Sequence, residues 1–168
     1  RELGLDGLSF SGIPVFGSYT DQAAQKAVAS LFIEKFAAVA GPGKELLLLF
    51  EGDPQFLTPA DRSKVDYFVL DTKETDNATD LKLQVLRALS AGAVPCNKLL
   101  LGAMTEYEFT DEDKGAADAI SALTIRIPEI GPQPLAGLCI YSVNADYFGA
   151  EFIYPLTRQA IQTLNPSK

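Results

Sequence analysis

Five short apolar stretches, each followed by a segment of helical spacing, constrain this chain more than any other feature. The stretches are Leu5–Phe10, Leu46–Phe50, Val65–Leu70, Lys98–Met104 and Gly137–Val143. The second is apolar at every position, as expected of a parallel strand covered on both faces. Between them the spacing predicts a helix over Asp21–Ala40, with Thr20 as N-cap and Ala24, Val28, Leu31, Phe32 and Phe36 as its apolar stripe. Gly41-Pro42-Gly43 ends it. Thr58 and Pro59 start a short helix. Asn77 or Thr79 opens a helix to about Ala91, with Leu81, Val85, Leu86 and Leu89 on one face. Thr110 caps one to about Ile127, and Phe152–Leu164 is the last.

Repeated βα units imply an α/β fold with a parallel sheet and right-handed crossovers. Two architectures satisfy the pattern: an independent five-stranded doubly wound domain, or the C-terminal part of a (β/α)8 barrel. At 168 residues with 47% apolar composition, the chain has the material for a single α/β unit spanning 1–168, and no linker divides it.

Composition excludes several kinds of chemistry. The net charge of −8 argues against a nucleic-acid partner, whose phosphates require a basic surface. No run approaches the ~20 apolar residues of a membrane helix. With no histidine, Ser-His-Asp and Cys-His mechanisms are absent, and a zinc site lacks its usual ligands. Neither Cys96 nor Cys139 belongs to a CxxC pair, and Cys139 reads as a small core residue of an apolar strand. No cofactor is implied. Acid–base work falls to Asp, Glu, Lys or Tyr.

In both architectures functional groups gather at the C-terminal ends of the strands. In order, those ends read Ser9-Phe10-Ser11-Gly12-Ile13, Glu51-Gly52-Asp53, Asp71-Thr72-Lys73, Met104-Thr105-Glu106-Tyr107 and Asn144-Ala145-Asp146-Tyr147. This series resembles strands four to eight of a glycoside hydrolase family 18 barrel, the family of chitinases and endo-β-N-acetylglucosaminidases. The family's fourth strand carries DGxDxDxE. "LDGLSFSGI" keeps the first pair as Asp6-Gly7, with Ser9, Ser11 and Ile13 at the three acidic positions. "VDYFVL" is similar to the sixth strand and "NKLLLGAM" to the seventh. "GLCIYSVNAD" is similar to the eighth, with Tyr141 in place of a tryptophan.

The resemblance implies that strands one to three lie outside this chain, which is then a segment of a larger barrel completed by its own N-terminal half. It implies a secreted or cell-surface protein whose partner is a glycan. It also implies loss of the family's reaction, in which the sugar's N-acetyl oxygen attacks its own anomeric carbon. Serine hydrogen-bonds but holds no negative charge at neutral pH, and Ile13 does neither. Losing a general acid costs about 10²–10⁴ in rate. Glu51 and Glu106, at or just past strand ends, are the alternative acids of a relocated mechanism, or else solvated loop charges. Asp71, Lys73, Met104, Glu106, Tyr107, Tyr141, Asn144, Asp146 and Tyr147 are the candidate ligand-binding residues. Asn144 and Asp146 equally suit a turn or a helix cap, and Tyr141 equally suits core packing. Three readings follow: a non-catalytic glycan-binding protein, a glycosidase with relocated carboxylates, and a scaffold or interaction protein.

Overall fold

A computed structural model describes residues 5–11, 22–72, 78–90, 94–104, 135–141 and 155–164. Within them, β1 (Gly7–Ser11), β2 (Leu47–Glu51), β3 (Tyr67–Leu70), β4 (Leu99–Met104) and β5 (Gly137–Tyr141) form one parallel sheet in the order β1-β2-β3-β4-β5. This strictly sequential order is that of a barrel. A doubly wound domain reverses its strand order at a switch point, and none occurs here. The sheet curls into a half-barrel of α/β class.

Helices α1 (Gln22–Phe36), α2 (Pro59–Arg62), α3 (Ala78–Ser90) and α4 (Pro155–Leu164) accompany the strands. The expected helix over Thr110–Ile127 lies outside the described residues. Local signals placed α2 well: Thr58 caps it, its Oγ1 accepting from the Asp61 amide at 3.2 Å, with Pro59 in the first turn.

Three sequence expectations need correction. First, α1 ends at Phe36 rather than Ala40. Residues 37–39 turn, the Lys44 ammonium donates to the Ala37 carbonyl, and Ala40 already bridges Leu46. Gly41 adopts φ 114°, and a Cβ there would lie 2.6 Å from the Lys64 carbonyl oxygen, so glycine is required. Second, the buried face of α1 is Ala29 and Ile33. Val28, Leu31 and Phe32 remain 38%, 54% and 39% exposed. In α3, Ala88 is buried where Leu86 was expected. Helical spacing defines a stripe, but the sheet selects which edge of it is covered. Third, Cys139 is half-buried on β5 and outside the buried core. Its register partner is Gly102, so it belongs to the opposite face of the sheet.

The core fills the layer between sheet and helices. Phe10, Leu48, Phe50, Phe68, Leu99 and Leu101 project from the strands' outer face. They meet Ile33 of α1, Leu81 and Val85 of α3, and Ala160 of α4. Aromatic rings continue across three strands: Phe32 stacks on Phe10 at 5.2 Å, Phe10 lies 5.9 Å from Phe50, and Phe50 meets Phe68 edge-on at 6.3 Å.

Candidate functional site

Strand alternation and register together define the inner face. Residues i and i+2 share a face, and paired residues of parallel strands point the same way. Phe10 pairs with Phe50 and Phe50 with Phe68, all on the outer face. Their neighbours therefore point inward: Ser9 beside Leu49, Ser11 beside Glu51, and Glu51 beside Val69. On the far side, Gly102 pairs with Cys139 and Met104 with Tyr141. Ser11, Glu51 and Tyr141 each end their strand, so they share the C-terminal mouth of the half-barrel.

Ser9 and Ser11 are exposed on this inner face, whereas Asp6 belongs to the opposite alternation set. Asp6 is exposed, and its carbonyl accepts from the Leu47 amide at 3.0 Å. That contact starts the β1–β2 ladder through the main chain of Asp6.

Tyr141 reaches across the curl. Its hydroxyl is buried and interacts with the Glu51 carboxyl and the Cys139 thiol. In a flat sheet β2 and β5 stand three strand spacings apart, about 14 Å. Curling brings their side chains together. Burial, and then the Glu51 carboxylate beside it, push the phenol far above its ordinary value, so Tyr141 stays neutral. Burial also pushes the Cys139 thiol up; the Tyr141 contact opposes this and the Glu51 charge adds to it. A thiol held protonated is a poor nucleophile.

Gly102 makes the Tyr141 position possible. A Cβ there would lie 2.9 Å from the Leu70 carbonyl oxygen and 3.1 Å from Cε2 of Tyr141. Thr72, buried just past β3, donates from Oγ1 to the Gly102 carbonyl at 2.7 Å and ties the ends of β3 and β4. Sequence reading did not single out Gly102 or Thr72. Alternation combined with sheet order is the signal that finds them. Asp71 is exposed and borders an open cleft of about 240 Å³ against Gln84 and Arg87 of α3.

Among the candidate residues, Ile13, Lys73, Glu106, Tyr107, Asn144, Asp146 and Tyr147 lie outside the described residues. Met104 is placed by its backbone as the last residue of β4. The structure thus brings together Ser9, Ser11, Glu51 and Tyr141, and sets Asp71 against α3.

A parallel sheet in sequential order, with polar groups gathered inside its C-terminal mouth, defines a protein of the (β/α)8-barrel class. The chain belongs to glycoside hydrolase family 18: the model of the family described as "Glycoside hydrolase family 18, BT1044-like" matches residues 2–163. Two solved structures share the fold. A selenomethionine variant of BT1044 is 15% identical with a TM-score of 0.65, over 98% of this chain and 55% of its own. An endo-β-N-acetylglucosaminidase from Cordyceps militaris, in apo form, is 18% identical with a TM-score of 0.68, over 98% of this chain and 58% of its own. The chain therefore spans little more than half the length of these structures. No curated protein matches it.

Proposed function

We propose that this protein is a glycan-binding member of family 18 without the family's catalysis. It takes N-acetylglucosamine-containing or related glycans at the mouth of the barrel. The observation that carries this reading is the pair Ser9 and Ser11, exposed on the inner face at strand-end positions. The resemblance to the family's DGxDxDxE motif implies carboxylates at these two positions. Serines keep hydrogen-bonding capacity for sugar hydroxyls but supply neither an acid nor a charge for an oxocarbenium-like centre. One protein of the same fold is an endo-β-N-acetylglucosaminidase, which supports the glycan class. Titration with chitooligosaccharides and high-mannose N-glycans tests it. Saturable binding without release of sugar is expected, and absence of binding to both overturns it.

One observation favours a second reading, a glycosidase with relocated carboxylates: Glu51 ends β2 on the inner face. Glu106 would be its partner, at ~5–5.5 Å for a retaining enzyme or ~6.5–9.5 Å for an inverting one. Turnover of an aryl glycoside that is lost in Glu51→Gln and in Glu106→Gln would establish this reading in place of the first.

We further infer that the unit is a segment of a larger barrel completed by its own N-terminal half. Support comes from the edge position of β1, the exposed apolar residues of α1 beside it, and the greater length of the fold relatives. Membership of family 18 supports a whole protein at the cell surface or outside the cell. No described helix is long and apolar enough to cross a membrane. Sedimentation of residues 1–168 alone should show self-association that the complete barrel lacks. A cooperative, monomeric 1–168 contradicts this inference.

A further inference from the structure

We propose that a cleft outside the sheet, at its N-terminal end, binds a small organic anion: a carboxylate or phosphate group carried on an apolar body. The site is remote from the barrel mouth and does not depend on the glycan-binding reading.

Its position follows from the connections between strands. Lys98 directly precedes β4, and Arg62 ends α2 on the way into β3. Because α2 has only four residues, it leaves the outer layer open beside Phe68 of β3. The opening is a cleft of about 270 Å³, lined by Arg62 and Ser63, by Phe68, and by Val94, Pro95 and Lys98 ahead of β4. A cavity of ~150 Å³ holds a benzene ring, so this one admits a ring with an acidic substituent.

The charge of the cleft is positive and uncancelled. Arg62 and Lys98 are both half-buried. Nη1 of Arg62 donates to the Leu57 carbonyl at 3.0 Å and to the Pro54 carbonyl at 3.3 Å. The Lys98 ammonium donates to the Val65 carbonyl at 2.8 Å. Neither cation pairs with a carboxylate among the described residues. The acids nearest in sequence are committed elsewhere: Asp61 accepts from Ser30, Thr58 and Lys64, and Asp66 accepts from the Leu48 amide. A carbonyl satisfies a donor without cancelling its charge, and a partly desolvated charge favours a counter-charge.

The remaining donors suit an oxyanion. With Nη1 turned to the two carbonyls, Arg62 keeps its Nε–Nη2 edge, the fork that meets two oxygens of one carboxylate or phosphate. Lys98 keeps two further N–H donors. The rest of the wall is apolar: Phe68 and Val94 are buried, and proline has no N–H at position 95. A bare inorganic ion would leave that wall uncovered, whereas an apolar body covers it. On a chain of net charge −8, attraction of an anion has to come from this local pair.

The test is calorimetric titration of the complete protein with benzoate, phenyl phosphate, inorganic phosphate and neutral benzyl alcohol, with thermal unfolding as the check on each variant. One-to-one binding of benzoate or phenyl phosphate is expected, weakened by added salt, with no saturation by benzyl alcohol. The tighter of the two anions identifies the acidic group. Lys98→Gln should weaken binding about 10- to 100-fold, the range for hydrogen bonds to a charged group. Ser63→Glu puts a carboxylate at an exposed position on the rim and should weaken it at least about 10-fold, while Ser63→Gln should not. Absence of binding by both organic anions overturns the proposal, as does equal affinity for benzyl alcohol. Unchanged affinity in folded Lys98→Gln and Ser63→Glu overturns the location. Inorganic phosphate bound as tightly as phenyl phosphate overturns the role of the apolar wall.

Discussion

Leu47 and Leu48 are neighbours of one residue type on one strand, yet Leu48 is completely buried and Leu47 is 41% exposed. The difference belongs to the two faces of the sheet. Outward, Leu48 meets helices and joins the aromatic series around Phe50. Inward, Leu47 shares its face with Leu49 and Glu51 and has no such cover among the described residues. Stability is concentrated on one face of this sheet, and the polar groups able to meet a ligand are on the other.

The strongest way to break this contrast is to truncate both leucines and compare their denaturant midpoints. Leu48→Ala should cost about 2–5 kcal/mol, the range for a buried large-to-small change. Leu47→Ala should cost less than about 1 kcal/mol, as expected of a partly exposed site. Equal losses would mean that the inner face is packed as tightly as the outer one.

Gly102→Ala probes the inner face where it is most crowded. The added methyl meets the Leu70 carbonyl and the Tyr141 ring, and such overpacking costs about 1–3 kcal/mol. It should also shift the Tyr141 ring, visible as a change in tyrosine fluorescence or ring NMR signals. A stability loss with an unmoved ring would show that the backbone alone absorbs the methyl.

Asp61 sharpens the contrast from the outer side, with a comparable or smaller effect. It is a buried carboxylate on α2 that faces Ser30 of α1. It accepts from Ser30 Oγ at 2.6 Å and Thr58 Oγ1 at 2.6 Å, and pairs with Lys64 at 3.1 Å. Burial pushes its pKa up, but the hydrogen bonds from Ser30, Thr58 and Lys64 outweigh burial and hold it below the ordinary aspartate value of 3.8. In acid the unfolded chain therefore takes up this proton first. The stabilisation is complete above pH 3.8 and is lost as pH falls through the lower native value. Asp61→Asn should cost about 1–3 kcal/mol at neutral pH and flatten the stability curve below about pH 4. An unchanged acid limb would assign that limb to other groups.

Much of the fold was legible because it is local. The βα alternation, the Thr58-Pro59 helix start and the strand positions to within about two residues all depend on neighbours a few positions apart. The family resemblance was legible too, in the series of strand-end residues from Asp6-Gly7 to Asn144-Ala145-Asp146, and the family model matches residues 2–163. The site was legible only in part. Glu51 and Tyr141 each stood out as strand-end residues, but nothing within a few positions of either indicated that they meet.

By itself, then, the sequence determined the kind and order of its strands and helices and the spacing of Ser9 and Ser11 after Asp6-Gly7. Only the tertiary structure decided between barrel and doubly wound sheet, because strand order is a long-range property that periodicity does not encode. It also decided that α1 buries Ala29 and Ile33 rather than Val28, Leu31 and Phe32, because the covered edge of an apolar stripe depends on the surface it meets. And it set Glu51 and Tyr141, three strands apart, on the same inner face of one curled sheet, because only register and strand order decide which strand ends share a face.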